Sequence, residues 1–204
     1  MTKLLIATNN PGKVREYEEL LKDLPTVEIT FPTREGLALE VEESGQTFEE
    51  NARLKATAFC AAAGLPTLAD DSGLEVDALH GAPGVRSARY AGPGANDVDR
   101  YRKLLAELAG VPPERRSARF RCVVALALPD GRVHTAAGAC EGEIGFAPRG
   151  EFGFGYDPVF IVAGQEGRTM AELAPEVKNR ISHRARAVEA LLPDLPRLLS
   201  LATD

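Results

Sequence analysis

An α/β fold built on a mixed sheet is what this sequence predicts, and three observations carry the prediction. Apolar strand-like segments alternate with segments of helical periodicity through the first half of the chain. The turn Pro129-Asp130-Gly131 joins two apolar runs as a hairpin, which inserts antiparallel strands into an otherwise alternating order. Finally, 204 residues with 44% hydrophobic and 26% charged side chains have the composition of a folded globular chain. A chain of that length buries about 70% of the surface its unfolded form exposes, enough for a core without disulfides or structural metal. That length means one large domain over residues 1–204 or two small lobes, with no separate linker between them.

The elements follow in order. Lys3 to Thr8 is a short buried strand, and Val14, Tyr17, Leu20, Leu21 and Leu24 recur at helical spacing behind Asn10, Pro11 and Gly12. Thr26 to Phe31 is a second strand. An acidic loop holding Glu40, Glu42 and Glu43 leads to Thr47, whose spacing to Glu50 is a capping box opening a helix that stops at Gly64. Pro66 to Ala69 is a buried strand ending in Asp70 and Asp71, and a Gly- and Pro-punctuated loop runs from Ser72 to Gly94. A helix from Asp97 to Leu108 precedes the hairpin of Ala118 to Leu128 with Arg132 to Ala139. Pro158 to Val162 is a further strand, Thr169 and Glu172 form a second capping box, and Ser182 caps a final helix to Leu192.

Composition also excludes functions. The formal charge of −6 argues against a protein that coats DNA or RNA, because phosphate binding over a wide surface needs a basic face. The longest apolar run, Cys122 to Leu128, is far short of the roughly 18 residues of a membrane-spanning helix. Leu4 to Ala7 is too short for a signal-peptide core, so a cytoplasmic location is expected. Cys60, Cys122 and Cys140 are odd in number and form no CxxC pair, which indicates buried thiols rather than disulfides or zinc ligands.

Several segments carry chemistry. Thr8-Asn9-Asn10-Pro11-Gly12-Lys13 stands where a strand hands over to a helix, a place where backbone N–H groups and a lysine receive phosphate. It is not a Walker A loop, since Ala7 stands at its first glycine and Val14 follows the lysine. Asp70 and Asp71, side by side at the end of an apolar strand, require something positive nearby, and Mg²⁺ commonly takes one or two such carboxylates. Alternation along a strand means the two need not share a face. Glu42 or Glu43 in the acidic loop could complete a metal site, and spacing alone does not choose between them. Phe152-Gly153-Phe154-Gly155-Tyr156-Asp157 alternates aromatics with glycines, as a wall against a flat ligand would. Lys178 and the Ser182-His183-Arg184 run add cations and donors.

The order of these motifs resembles the inosine triphosphate pyrophosphatase family, the non-standard purine nucleoside triphosphate pyrophosphatases. The resemblance runs from Thr8–Lys13 through Glu42–Ala52, Ala69–Leu74 and Pro83–Gly92 to Gly153–Phe160 and Ser182–Arg184, nearly the whole chain. It implies an elongated two-lobed α/β homodimer with its active site in the cleft between lobes, hydrolysing ITP, dITP and XTP to monophosphate and pyrophosphate with Mg²⁺. Carried over by motif, Thr8, Asn9, Asn10, Pro11, Gly12 and Lys13 would bind phosphates. Asp71 would be proton acceptor and metal ligand, and Glu42 the second ligand. Ser72, Phe154, Gly155, Tyr156, Asp157, Lys178, His183 and Arg184 would contact the substrate, with Arg184 donating to the C6 carbonyl of the base. The partner implied is a small nucleotide, not nucleic acid or membrane. Two other readings fit the same residues: a pyrimidine triphosphate pyrophosphatase and a noncatalytic nucleotide sensor.

Overall fold

The computed structural model describes residues 1–24 and 26–200. Its strands are β1 (Thr2–Ile6), β2 (Val27–Thr30), β3 (Thr67–Val76), β4 (Ser117–Ala127), β5 (Val133–Ile144) and β6 (Phe160–Val162), in the sheet order β2-β1-β3-β4-β5-β6. β1 runs parallel to both β2 and β3, whereas β5 and β6 are antiparallel, so the sheet is mixed as expected. The helices are α1 (Pro11–Leu20), α2 (Phe48–Ala63), α3 (Asp97–Glu107), α4 (Pro175–Ile181), α5 (His183–Leu191) and α6 (Leu195–Ser200). Among the described residues no helix is long and apolar enough to cross a membrane.

Contacts divide the chain into two compact units, each assembled from separated segments. The first takes Met1–Asp71, Cys122–Gly138 and the segment from Arg184, and the second takes Ser72–Arg121 and Ala139–His183.

In the first unit β1, the start of β3 and the end of β4 are buried on both faces, which is why they read as continuous apolar runs rather than alternating ones. Leu4, Ile6, Leu68, Val124 and Leu126 pack with Tyr17 and Leu21 near α1 and with Ala187, Val188 and Leu191 of α5. Their neighbours Leu5, Ala7, Ala69, Ala125 and Ala127 point the other way, onto Ala52, Ala56 and Phe59 of α2. The capping box of α2 forms, with Thr47 Oγ1 accepting the Glu50 N–H at 3.1 Å, an N-cap worth about 1 kcal/mol. The helix ends at Gly64 in the left-handed conformation.

The second unit has its own core of Leu74, Val76, Leu104, Leu108, Phe120, Ile144, Val159, Phe160 and Met170. Arg116, 3% exposed, ties this unit together through the carbonyls of Leu108, Ile144 and Gly145 at 2.7 to 2.9 Å.

Four elements differ from expectation. β3 does not stop at Asp70 but continues through Asp71-Ser72-Gly73 to Val76, so part of the expected loop is strand. The box at Thr169 opens only a 3-10 turn, Met170–Glu172. α4 and α6 have no counterpart among the expected elements. All three cysteines are buried, free thiols.

Candidate active site

Adjacent residues in a strand face opposite ways, and β3 uses this to give its two aspartates different partners. Asp70, 3% exposed, points towards α1 and α5, where its Oδ2 accepts from Lys13 Nζ at 2.8 Å and Arg184 Nη2 at 3.1 Å. Burial alone would push its carboxyl up, but Lys13, Arg184 and Lys55 outweigh that and hold it well below the usual carboxylate range. Arg184, 1% exposed, also donates to Glu16 on α1, so its guanidinium lies between two carboxylates. Its charge is correspondingly reinforced despite full burial.

Asp71, 6% exposed, points instead towards α2. Asn51 Nδ2 donates to its Oδ2 at 3.0 Å, and Lys55 Nζ lies 3.3 Å from its Oδ1. Asn51 and Lys55 are four residues apart and therefore share a face of α2. Burial raises the Asp71 pKa, and the neighbouring Glu43 pushes it the same way against the counterweight of Lys55 and Asn51. Lys55 Nζ also reaches Glu43 Oε1 at 2.7 Å, whereas Glu42 is exposed. Asn51 accepts the Gly45 N–H at 2.8 Å, tying the acidic loop to the same helix. A Cβ at Gly45 would stand 2.7 Å from Asn51 Oδ1, so only glycine permits that approach.

Thr8 to Lys13 forms the β1–α1 turn. Asn10 caps α1, its Oδ1 accepting from the N–H groups of Gly12 at 2.8 Å and Lys13 at 3.1 Å. Those two amides, expected to face phosphate, are engaged by the cap itself. Asn9, Asn10 and Pro11 are exposed.

The second unit holds the other group. Asp157 Oδ2 accepts from the Phe154 N–H at 2.9 Å and from Lys178 Nζ at 2.6 Å, and that ammonium lies 4.6 Å from the centre of the Phe154 ring. Gly153, at φ +79°, leaves the space that the Asp157 carboxylate fills, and a Cβ there would collide with it. Tyr156 is core rather than wall: it is 4% exposed and its hydroxyl donates to the Ser87 carbonyl at 2.9 Å. Phe154 is the half-buried ring of this segment. His183 stacks on Phe120 at 4.8 Å and 13°.

The expected site residues thus fall into two groups. Thr8–Lys13, Glu42, Glu43, Asp71 and Arg184 belong to the first unit, and Ser72, Phe154–Asp157, Lys178 and His183 to the second. The division passes between Asp71 and Ser72 and again between His183 and Arg184. Asn51, Lys55 and Glu16 are partners that the motifs did not single out. The i, i+4 spacing of Asn51 and Lys55 on one apolar helix was the available signal.

The pair formed by Glu43 and Asp71 suits a hard cation, since both offer carboxylate oxygens and already share a positive charge. Among the described residues no three His, Cys, Asp or Glu side chains gather as a metal cage. Two carboxylates are what Mg²⁺ takes when substrate phosphates and water fill its other positions.

Comparison with known proteins agrees in fold and sequence. A Desulforamulus reducens protein named dITP/XTP pyrophosphatase is 53% identical over 196 residues, covering 96% of each chain. One of the same name from Bacillus subtilis is 48% identical over 191 residues, covering 94% of this chain and 96% of its own. Among solved structures, a HAM1 protein from Coxiella burnetii superposes with a TM-score of 0.87 at 44% identity, covering 97% of this chain and all of that one. The Staphylococcus aureus Ham1 protein gives 0.85 at 40% identity, with the same coverage. Residues 4–194 match the model of the Ham1 family, and with relatives this similar over nearly its full length, the chain belongs to that family.

Proposed function

We propose that this protein hydrolyses non-standard purine nucleoside triphosphates, dITP, ITP and XTP, to the monophosphate and pyrophosphate, and that Mg²⁺ is its cofactor. The observation that carries the reading is Asp71: a nearly buried carboxylate whose proton affinity is raised, set beside Glu43 and Lys55. That environment suits a general base, which must hold a proton taken from water. The names of the relatives point to the same reaction.

In this reading Asp71 and a loop glutamate hold the metal, and Glu43 is better placed than Glu42 because its carboxylate already meets a cation beside Asp71. The bound ion would supply charge neutralisation for the triphosphate and acidify a water. Lys13, with Thr8 to Gly12 around it, meets the phosphates, and Asp70 keeps its ammonium aimed. Arg184 braces Asp70 from the other side, and its role towards the base is exercised from that position. The Phe154 ring stacks on the base, with Gly155, Asp157, Lys178, His183 and Ser72 around it. Asp71 then takes the proton of the attacking water, and pyrophosphate leaves with its charge matched by the lysines.

The reading extends to a cytoplasmic homodimer, acting as one enzyme domain on free nucleotides rather than nucleic acid. The net charge of −6 supports the last point, and the motif resemblance supports the others. The deciding experiment is pyrophosphate release from a panel of triphosphates with and without Mg²⁺. Release from dITP and XTP, dependent on Mg²⁺ and weak with ATP and GTP, is expected. Preference for UTP or CTP would move the reading to a pyrimidine enzyme, and binding without turnover would make it a sensor. Sedimentation tests the dimer.

A further inference from the structure

Gly155 lies in the segment whose ring the proposed function assigns to the base, and its N–H donates to Asp97 Oδ2 at 2.7 Å across 58 positions of sequence. Asp97 is the first residue of α3, a helix start fixed by its own capping box between Asn96 and Asp99, with both bonds at 3.0 Å. The other oxygen of Asp97 takes Arg100 Nη1 one turn on, and Arg100 Nη2 returns to the Ala95 carbonyl at 2.8 Å. Fully buried Leu104 seats α3 in the core of the second unit. The carboxylate is thus held by a capped helix start and a cation while it grips a glycine-rich turn.

The neighbouring amide is bound in the same way, since the Phe154 N–H goes to Asp157. The Phe154 ring is therefore carried on a backbone pinned by one carboxylate at its own N–H and by another at the next. Without such pins, a turn with glycines at 153 and 155 would sample many backbone states, and ordering it would weaken ligand binding. We propose that Asp97 is a positioning residue for base recognition, which fixes the Phe154 ring without touching the substrate. The inference rests on the assignment of Phe154 to the base.

Steady-state kinetics on XTP and dITP, thermal unfolding, and hydrogen exchange of the Gly155 amide by NMR test it in Asp97→Ala and Asp97→Asn. In the alanine variant KM should rise about five- to tenfold with kcat within about twofold, as loss of one such bond predicts. Its Gly155 amide should exchange at least about tenfold faster. The asparagine variant, which keeps an acceptor oxygen, should recover most of both. A wild-type KM in the alanine variant, unchanged Gly155 exchange, or an asparagine variant as impaired as alanine would each overturn the proposal. So would a joint loss of kcat and thermal stability at constant KM, which is the signature of a weakened α3 start. Failure of the proposed activity shows already in the wild type, as absent turnover of both nucleotides, and failure of the base assignment shows in Phe154→Ala as an unchanged KM, whereas failure of this inference shows only in the Asp97 variants.

Discussion

Glu43 and Asp71 hold one ammonium between them: Lys55 Nζ stands 2.7 Å from the first carboxylate and 3.3 Å from the second. Two acids this close to a shared point are tolerable because the lysine offsets their repulsion. Removing it by Lys55→Ala leaves Asp71 buried beside an unmatched neighbour, which raises its pKa further. A base that stays protonated to higher pH loses activity at higher pH. The acid limb of the kcat/KM profile should therefore move upward relative to wild type, and an unmoved limb would separate Lys55 from the base.

Asp71→Asn should divide function from stability. Loss of a general base costs about 10² to 10⁴ in rate, so turnover should nearly vanish at saturating Mg²⁺. Because the native pKa is raised, Asp71 favours folding least once both states are ionised. Its cost is absent below the ordinary carboxylate range of about pH 4 and appears as pH rises through the native value. The variant should then melt higher than wild type at pH 7 and alike at pH 3. Activity within a few-fold of wild type would remove Asp71 from the chemistry.

For Asp70 the sign reverses. Its pKa is held down by Lys13 and Arg184 against the effect of burial, so its contribution is present above the unfolded value of about 3.9 and is lost as pH falls below it. Asp70→Asn leaves a buried guanidinium short of a partner and should destabilise by about 3 kcal/mol at pH 7. Urea titrations across pH should show that gap narrowing below about pH 4. A constant gap would mean that packing, not charge, is what Asp70 supplies.

Lys13→Ala should spare the fold, because Asp70 keeps Arg184, and should weaken triphosphate binding by about ten- to a hundredfold. Nucleoside binding should hardly change. Calorimetry with a non-hydrolysable triphosphate and with inosine separates the two, and equal loss for both would place Lys13 away from phosphate.

What the sequence disclosed was mostly local. The box at Thr47, the break at Gly64 and the turn at Asp130-Gly131 each fix an element with residues a few positions apart, and α2 and the β4–β5 hairpin stand where those signals put them. β3 was underread because Asp-Asp-Ser-Gly is turn chemistry by propensity, whereas in the sheet the two carboxylates are met by cations on α1, α2 and α5. The paired aspartates announced that positive charge lay near, but not that each would find its own. Arg184 was expected at the base, yet the structure sets it between Glu16 and Asp70, contacts spanning 168 and 114 positions that no local pattern encodes. Tyr156 looked like a wall and is core, because ring burial depends on what packs behind it.

The interleaving of segments bears on biosynthesis. One face of β1, with Leu4 and Ile6, is covered by Ala187, Val188, Leu191 and Leu198, which leave the ribosome more than 170 residues later. At ordinary translation speeds of about 5 to 20 residues per second, that face waits on the order of ten seconds for its cover. The nascent chain therefore carries sticky, unfinished surface through most of its synthesis. A ribosome stalled before α5 would leave a fragment that chaperones must hold or proteases remove.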